Sequence, residues 1–246
     1  MKDFSADLHI HSVLSPCGDL DMSPRNIIRR AGEMQIDIIG ITDHNSTRHG
    51  PLMRRLGREN GIFVLTGAEV TSREEVHCLS FFEDDKQLAS FQGYLDDHLI
   101  PFPSDPLRFG HQIVVDQDDN ILEEEKNLLI YSIDQTVNQI EEVVHLHNGL
   151  FIPAHINRER NSMTSQLGFV PSDIIIDALE ISRHVSKVDF LKLHPGLEDY
   201  TFIQSSDAHF PEDIGRVYSV FRLEEISFRE IRMALAKKGG REVILP

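Results

Sequence analysis

In the stretch ADLHIHSVLSPCGD, Asp7, His9 and His11 fall at alternate positions. On a β-strand these ionisable side chains share one face, with Leu8 and Ile10 on the other. A face like this turned toward a core needs hydrogen bonds, ion pairing or a metal to offset its burial. The same residue types recur downstream. His44 closes IIGITDH, Glu69 closes IFVLTGAEV, His77 lies at the start of EVHCLSFF, His155 ends near LFIPAHI, and Asp207 with His209 ends FIQSSDAH. Imidazole together with carboxylate suits zinc, iron or manganese. One HxH fits ordinary histidines as well as it fits a metal, and Glu69 or His77 taken alone reads as a loop cap or a strand histidine. Their joint placement at segment ends is hard to assign to packing.

Those residues need elements to hold them. Apolar segments at 38–44, 62–70, 75–82, 150–156, 178–182, 202–209 and 217–223 read as strands and, with the first, make eight. Between them, SPRNIIRRAGEMQ offers Ser23 as N-cap and Pro24 at the first helical position, while TVNQIEEVVHLHNG and SFREIRMALAKKGG end in Gly. Alternating strands and helices predict a parallel sheet or barrel, whose strand C-termini converge on one mouth. Residues 83–133, with Pro101, Pro103, Pro106 and the acidic VVDQDDNILEEE, break the rhythm and read as an insertion with a surface hairpin.

Length and charge set the bounds. The 246 residues, 40% of them hydrophobic, suffice for one sizeable core, so residues 1–246 are expected to form one domain. The N-terminus has no leader-like pattern and no segment approaches a membrane span, which makes a cytoplasmic protein without membrane contact the expectation. Cys17 and Cys78 are expected as free thiols. The net charge of -16 is uneven: residues 83–125 hold twelve acids against two bases, whereas residues 1–61 are balanced. Extended nucleic acid is therefore not an expected partner, since binding it relies on Lys and Arg neutralising many phosphates. A small phosphorylated ligand or a strand end remains compatible.

The motifs DLHIHS, ITDHNS, GAEVTS, VHCLSFF, IPAH and SSDAH, in this order and spacing from residue 7 to 209, resemble the polymerase-and-histidinol-phosphatase (PHP) family of metal-dependent phosphoesterases. The resemblance implies an α/β fold, a distorted (β/α)7 barrel, with two or three divalent transition-metal ions (Zn, Mn or Fe) at its mouth. It implies His9, His11, Glu69 and Asp207 around one ion, and Glu69 bridging to a second held by His77 and His155. A third would be held by His44 and His209 with help from the loop after the first strand. The family's usual His or Asp in that loop is replaced here by Pro16 and Cys17. Asp19 is the favoured ligand and Cys17 its competitor.

A phosphoesterase of this kind would hydrolyse a small phosphate ester, a nucleotide or a short oligonucleotide through a metal-bound hydroxide, with Glu69 and Asp207 central to catalysis. Arg158 and Arg183 follow strand ends and can fork onto phosphate oxygens, though solvent-facing loop arginines read equally well. His184 can protonate a leaving group, and Asp43 can orient a neighbouring ligand. His49, His98, His111, His145, His147 and His194 lack strand-end placement and are left structural. An amidohydrolase-type C–N hydrolase also carries an HxH strand but commonly adds a bridging modified lysine, and no lysine here ends a strand. A non-catalytic metal- or ligand-sensing module is the other alternative.

Overall fold

The computed structural model describes residues 1–245. Strand β1 (Lys2–Ile10) is buried from Ala6 onward, with Ala6 and Leu8 in an apolar cluster and Asp7 and His9 on the opposite, polar face. Helix α1 (Pro24–Glu33) starts where expected: the Ser23 hydroxyl accepts from Asn26 N, Pro24 opens the first turn, and Ile27, Ile28 and Ala31 are buried. Strand β2 (Ile38–Ile41), helix α2 (Gly50–Glu59) and strand β3 (Phe63–Thr71) continue the alternation. Strand β4 (His77–Phe82) follows after a tight turn, in which Ser72 N donates to Val76 O and Glu75 takes a φ of 62°.

That turn decides the sheet. So short a connection permits only an antiparallel neighbour, because a parallel one needs a crossover of a dozen or more residues. The expected all-parallel sheet is therefore corrected: β1, β2 and β3 are parallel, but β4 is antiparallel to β3. The expected insertion at 83–133 is also corrected at its start. Helix α3 (Asp85–His98), capped by Asp84 and Gln87, buries Leu88, Phe91 and Leu95 in the core, so it belongs to the main body despite its acidic surface. Only after it come the single-turn α4 (Pro106–Phe109) and the expected hairpin, β5 (Ile113–Val115) with β6 (Ile121–Glu124).

Helix α5 (Val137–Leu146) then leads to strand β7 (Leu150–Pro153), antiparallel to β4. Helix α6 (Met163–Leu167), strand β8 (Leu179–Glu180), helix α7 (Lys187–Leu193) and strand β9 (Phe202–Ile203) follow, the two strands pairing in parallel. Strand β10 (Ser219–Leu223), helix α8 (Phe228–Leu235) and strand β11 (Glu242–Ile244) complete the chain, β11 being a strand the sequence pattern does not reveal.

The result is a mixed α/β fold with a curled seven-stranded sheet, ordered β11-β10-β1-β2-β3-β4-β7, and a two-stranded β8-β9 sheet beside it. Main-chain hydrogen bonds join the two. Ile156 N donates to Glu180 O at 2.7 Å, and His11 N donates to Ala208 O at 3.0 Å. The strand ends carrying His9, Glu69, His155 and Asp207 are thereby held around one polar centre. Among the described residues no helix is long and apolar enough to cross a membrane, and both cysteines are free.

Candidate metal centre

Strand alternation sends His9 and His11 inward from the end of β1 and the residue after it. Their Nε2 atoms lie 3.1 Å apart. Each ring is fixed from behind. His9 Nδ1 meets the buried Glu180 carboxylate at 3.0 Å, and His11 Nδ1 meets Ser15 Oγ at 3.0 Å. The Ser15 hydroxyl donates to Asp43 Oδ1 at 2.7 Å, which leaves its oxygen to accept from His11. Both Nδ1 atoms therefore act as donors, so two Nε2 lone pairs point at each other.

Into the same spot come the carboxylates of Glu69 and Asp207. His9 Nε2 is 3.4 Å from Glu69 Oε1 and 3.4 Å from Asp207 Oδ1, and His11 Nε2 is 3.3 Å from Glu69 Oε2 and 3.4 Å from Asp207 Oδ1. Four acceptors facing one another in a buried space require a cation or protons between them. Protons can meet that demand. Against the cost of burial, Glu180, Glu69 and Asp207 hold the His9 imidazolium well above the usual histidine range, and His11 is raised similarly, by Asp207 and Glu69. Burial works against ionised Glu69, but His77 and His9, with the hydrogen bond from His11, outweigh it and hold the carboxyl well below its usual range.

Glu69 is also the meeting point of three further imidazoles: His77 Nδ1 at 2.9 Å, His155 Nε2 at 3.1 Å and His44 Nδ1 at 3.2 Å. His77 Nε2, His155 Nδ1 and His44 Nδ1 are buried without a hydrogen-bond partner. Burial holds His44 and His155 neutral, and burial with the nearby His11 takes His209 down to about 4. Neutral imidazoles with unclaimed nitrogens are ready metal ligands. The set fits divalent ions on this chemistry. Three groups have their donor atoms mutually within 4.8 Å: His9, His11 and Glu69; His44, Glu69 and His77; and His11, Cys17, His44 and His209.

The backbone bends to make this possible. His155 and Asp207 hold φ values of 29° and 54°, in the left-handed region that non-glycine residues seldom occupy. Asp7, from the polar face of β1, accepts from Ser206 N and Gly215 N, both at 2.9 Å, and so anchors the segment bearing Asp207 and His209. Burial pushes its carboxyl up to about 6.

All eight strand-end residues come together. Other expected residues lie differently. The Asp19 carboxylate is turned to Asp21 N at 2.8 Å and is in none of the three groups, whereas Cys17 is in one. Arg158 pairs with Asp207 Oδ2 and is half-exposed at the edge of the centre. Arg183 pairs instead with Asp213, and His184 is exposed outside the cluster, so neither is brought to the ligands. His49 is structural as expected: its Nε2 accepts from Val115 N and its Nδ1 meets Ser12 Oγ. Sequence reading missed Glu180 and Ser15. A carboxylate inside the apolar run ALEIS was the available signal for Glu180; Ser15 had none.

A buried centre of imidazoles and carboxylates at the strand ends of a curled mixed sheet defines a metal-site protein. The PHP domain model matches residues 7–167 and the PHP-associated model matches residues 199–238. The chain belongs to the PHP family. The uncharacterized protein MJ1587 of Methanocaldococcus jannaschii is 38% identical over 88 residues, covering 32% of this chain and 52% of its own. The uncharacterized protein YqxK of Bacillus subtilis is 25% identical over 99% of this chain and 65% of its own. The lesion-specific endonuclease PfuEndoQ of Pyrococcus furiosus shares the fold at a TM-score of 0.71 and 21% identity, over 98% of this chain and 58% of its own. An endonuclease Q complex with a 27-mer duplex substrate carrying an abasic lesion gives a TM-score of 0.72 at 21% identity, with the same coverage. The chain thus spans between about half and two thirds of the length of these proteins.

Proposed function

We propose that the chain is a metal-dependent phosphoester hydrolase acting on a small phosphate ester, a nucleotide or the end of a short oligonucleotide. Its scaffold would be a distorted (β/α)7 barrel in which β1, β2, β3, β4, β7, β8 and β9 ring the centre. The observation that carries this reading is the pair of opposed Nε2 atoms of His9 and His11, 3.1 Å apart and facing two carboxylates. His9, His11, Glu69 and Asp207 would hold one ion, and Glu69, His77 and His155 a second. Bound there, zinc, manganese or iron supplies Lewis acidity for phosphoryl oxygens and acidifies a water.

The chain's own residues do the rest. Glu180 and the Asp43–Ser15 pair fix the His9 and His11 rings, so the ligands need not reorganise. Arg158, paired with Asp207 yet half-exposed, is placed to exchange that partner for a phosphate oxygen when Asp207 turns to an ion. PHP membership and the fold shared with a lesion-specific endonuclease support phosphoester chemistry. The amidohydrolase type commonly adds a bridging modified lysine, and among the described residues the ion pairs of Glu69 and Asp207 are with histidines and Arg158, none with a lysine.

The test is a panel of phosphomonoesters, phosphodiesters, nucleotides, short oligonucleotides and an abasic-site duplex, with amide substrates as comparison. It is run after reconstitution with Zn, Mn or Fe. Release of phosphate, or cleavage of a diester, is the expected outcome. Amide cleavage without any phosphoester turnover would assign the C–N chemistry instead, and no turnover with metals bound would favour a sensing module.

A further inference from the structure

We propose that Cys17, not Asp19, is the loop ligand of the centre, a thiolate that joins His44 and His209 and makes that position selective for zinc-like ions. The inference rests on the metal-centre reading above. Its first support is placement: the Cys17 Sγ and one imidazole nitrogen each of His11, His44 and His209 lie mutually within 4.8 Å. The second is independent of the cysteine. His209 Nδ1 donates to the Asp207 backbone O at 2.9 Å, which leaves its Nε2 lone pair free for an ion, and His44, 2% exposed, has its Nδ1 3.2 Å from Glu69 Oε2 without a hydrogen bond.

The loop is shaped to keep the thiol there. Gly18 sits so close to the chain that a Cβ would come within 2.4 Å of Ser12 O, so only glycine permits this turn. Gly18 N donates to Ser15 O and Asp19 N to His209 O, both at 2.9 Å, which fastens the loop to the His209 segment. The same turn directs the Asp19 carboxylate to Asp21 N. Asp19 thus holds the loop through its backbone while its side chain faces away.

His11 Nε2 is already directed at His9, Glu69 and Asp207, so Cys17, His44 and His209 constitute a three-ligand set with a fourth position open, the arrangement of catalytic rather than structural zinc sites. Thiolate is a soft ligand and favours zinc, cobalt or ferrous iron over manganese or magnesium. A carboxylate at the same place would not impose that preference.

Cobalt(II) distinguishes the cases, because thiolate coordination gives a sulfur-to-cobalt charge-transfer absorption that nitrogen and oxygen ligands do not. Metal-free protein is reconstituted anaerobically with cobalt, and the absorption and bound cobalt are both measured. Expected is a charge-transfer band in the wild type, Cys78→Ala and Asp19→Asn, and its loss in Cys17→Ser together with about one equivalent of cobalt. Two or more bound equivalents with no such band in the wild type would overturn the Cys17 assignment while leaving the metal centre standing. A band that survives Cys17→Ser and disappears in Cys78→Ala would overturn it as well. Binding below one equivalent in the wild type would overturn the metal-centre reading itself.

Discussion

Two glutamates divide the work at the centre, and they should fail differently. Glu69 touches imidazoles from four separate segments, those of His9 and His11, of His44, of His77 and of His155, so in the proposed centre its charge would be shared by more than one ion position. Replacing it by Gln keeps the shape and removes the charge; elemental analysis should then find at least one fewer bound ion, with turnover lost. Glu180 touches no ion position and acts on His9 through Nδ1 and on the His155 backbone N–H, which it accepts at 2.9 Å. Glu180→Gln should weaken metal affinity by roughly 10–100-fold, as for other partners behind a metal-binding histidine, and leave the number of sites unchanged. A titration showing wild-type affinity would remove Glu180 from this role. Because His9 is held protonated far above the usual range, binding an ion must release that proton. Metal affinity should therefore rise with pH, as calorimetry in buffers of different ionisation enthalpy would show.

At the level of elements, α5 is tied to β7 by a histidine that plays no part in the centre. His145 lies between Glu141 Oε1 at 2.5 Å and Asp177 Oδ2 at 3.0 Å, and Asp177 also accepts from Phe151 N. The Asp177 hydrogen bond, with that of Glu141, raises the imidazole above its ordinary 6.5, and burial only partly opposes them. A raised histidine stabilises the fold fully below about 6.5, and the contribution disappears as pH climbs through the raised value. The pair is partly exposed, so His145→Ala should cost about 0.5–1 kcal/mol in acid and little at pH 9, by denaturant melts. Equal losses at both pH values would contradict this. Helices α1, α5 and α8 were legible because caps and apolar spacing are local signals. The antiparallel β4 was not: segments 62–70 and 75–82 read as two strands, but their relative direction is set by the short turn between them, which the alternating pattern of strands and helices does not reveal. Likewise α3 hid behind its acidic surface: Leu88, Phe91 and Leu95 carry the burial, but neighbouring carboxylates and prolines drew it into the insertion. The convergence of the eight strand-end residues on one centre was legible from position alone. That the Cys17 side chain, and not that of Asp19, lies beside His44 and His209 was not, because the turn at Gly18 sets it and spacing cannot.

For the molecule as a whole, charge bears on substrate size. The segment after α3 lies beside the mouth: Asn45 donates to Leu129 O and Tyr131 O, and Ile133 N to Thr71 O, next to His44 and near Glu69. Part of its acidity is matched by arginines, Arg48 meeting Glu123 and Glu125, and Arg25 meeting Asp118. That pairing shrinks the repulsion expected from sequence but leaves the net charge of -16. Small esters and short oligonucleotides should thus be turned over with higher kcat/KM than long single or double strands at matched salt. Efficient digestion of long nucleic acid, with affinity collapsing as salt rises, would be the contrary result. The hairpin is also wired to the centre: Val115 N donates to His49 Nε2 at 3.0 Å, His49 reaches Ser12, and Ser12 reaches Asp43. The Val115 amide proton is consequently a clock. Its exchange with deuterated solvent counts how often the hairpin lifts from the mouth, one residue's timing read without substrate, ion or label.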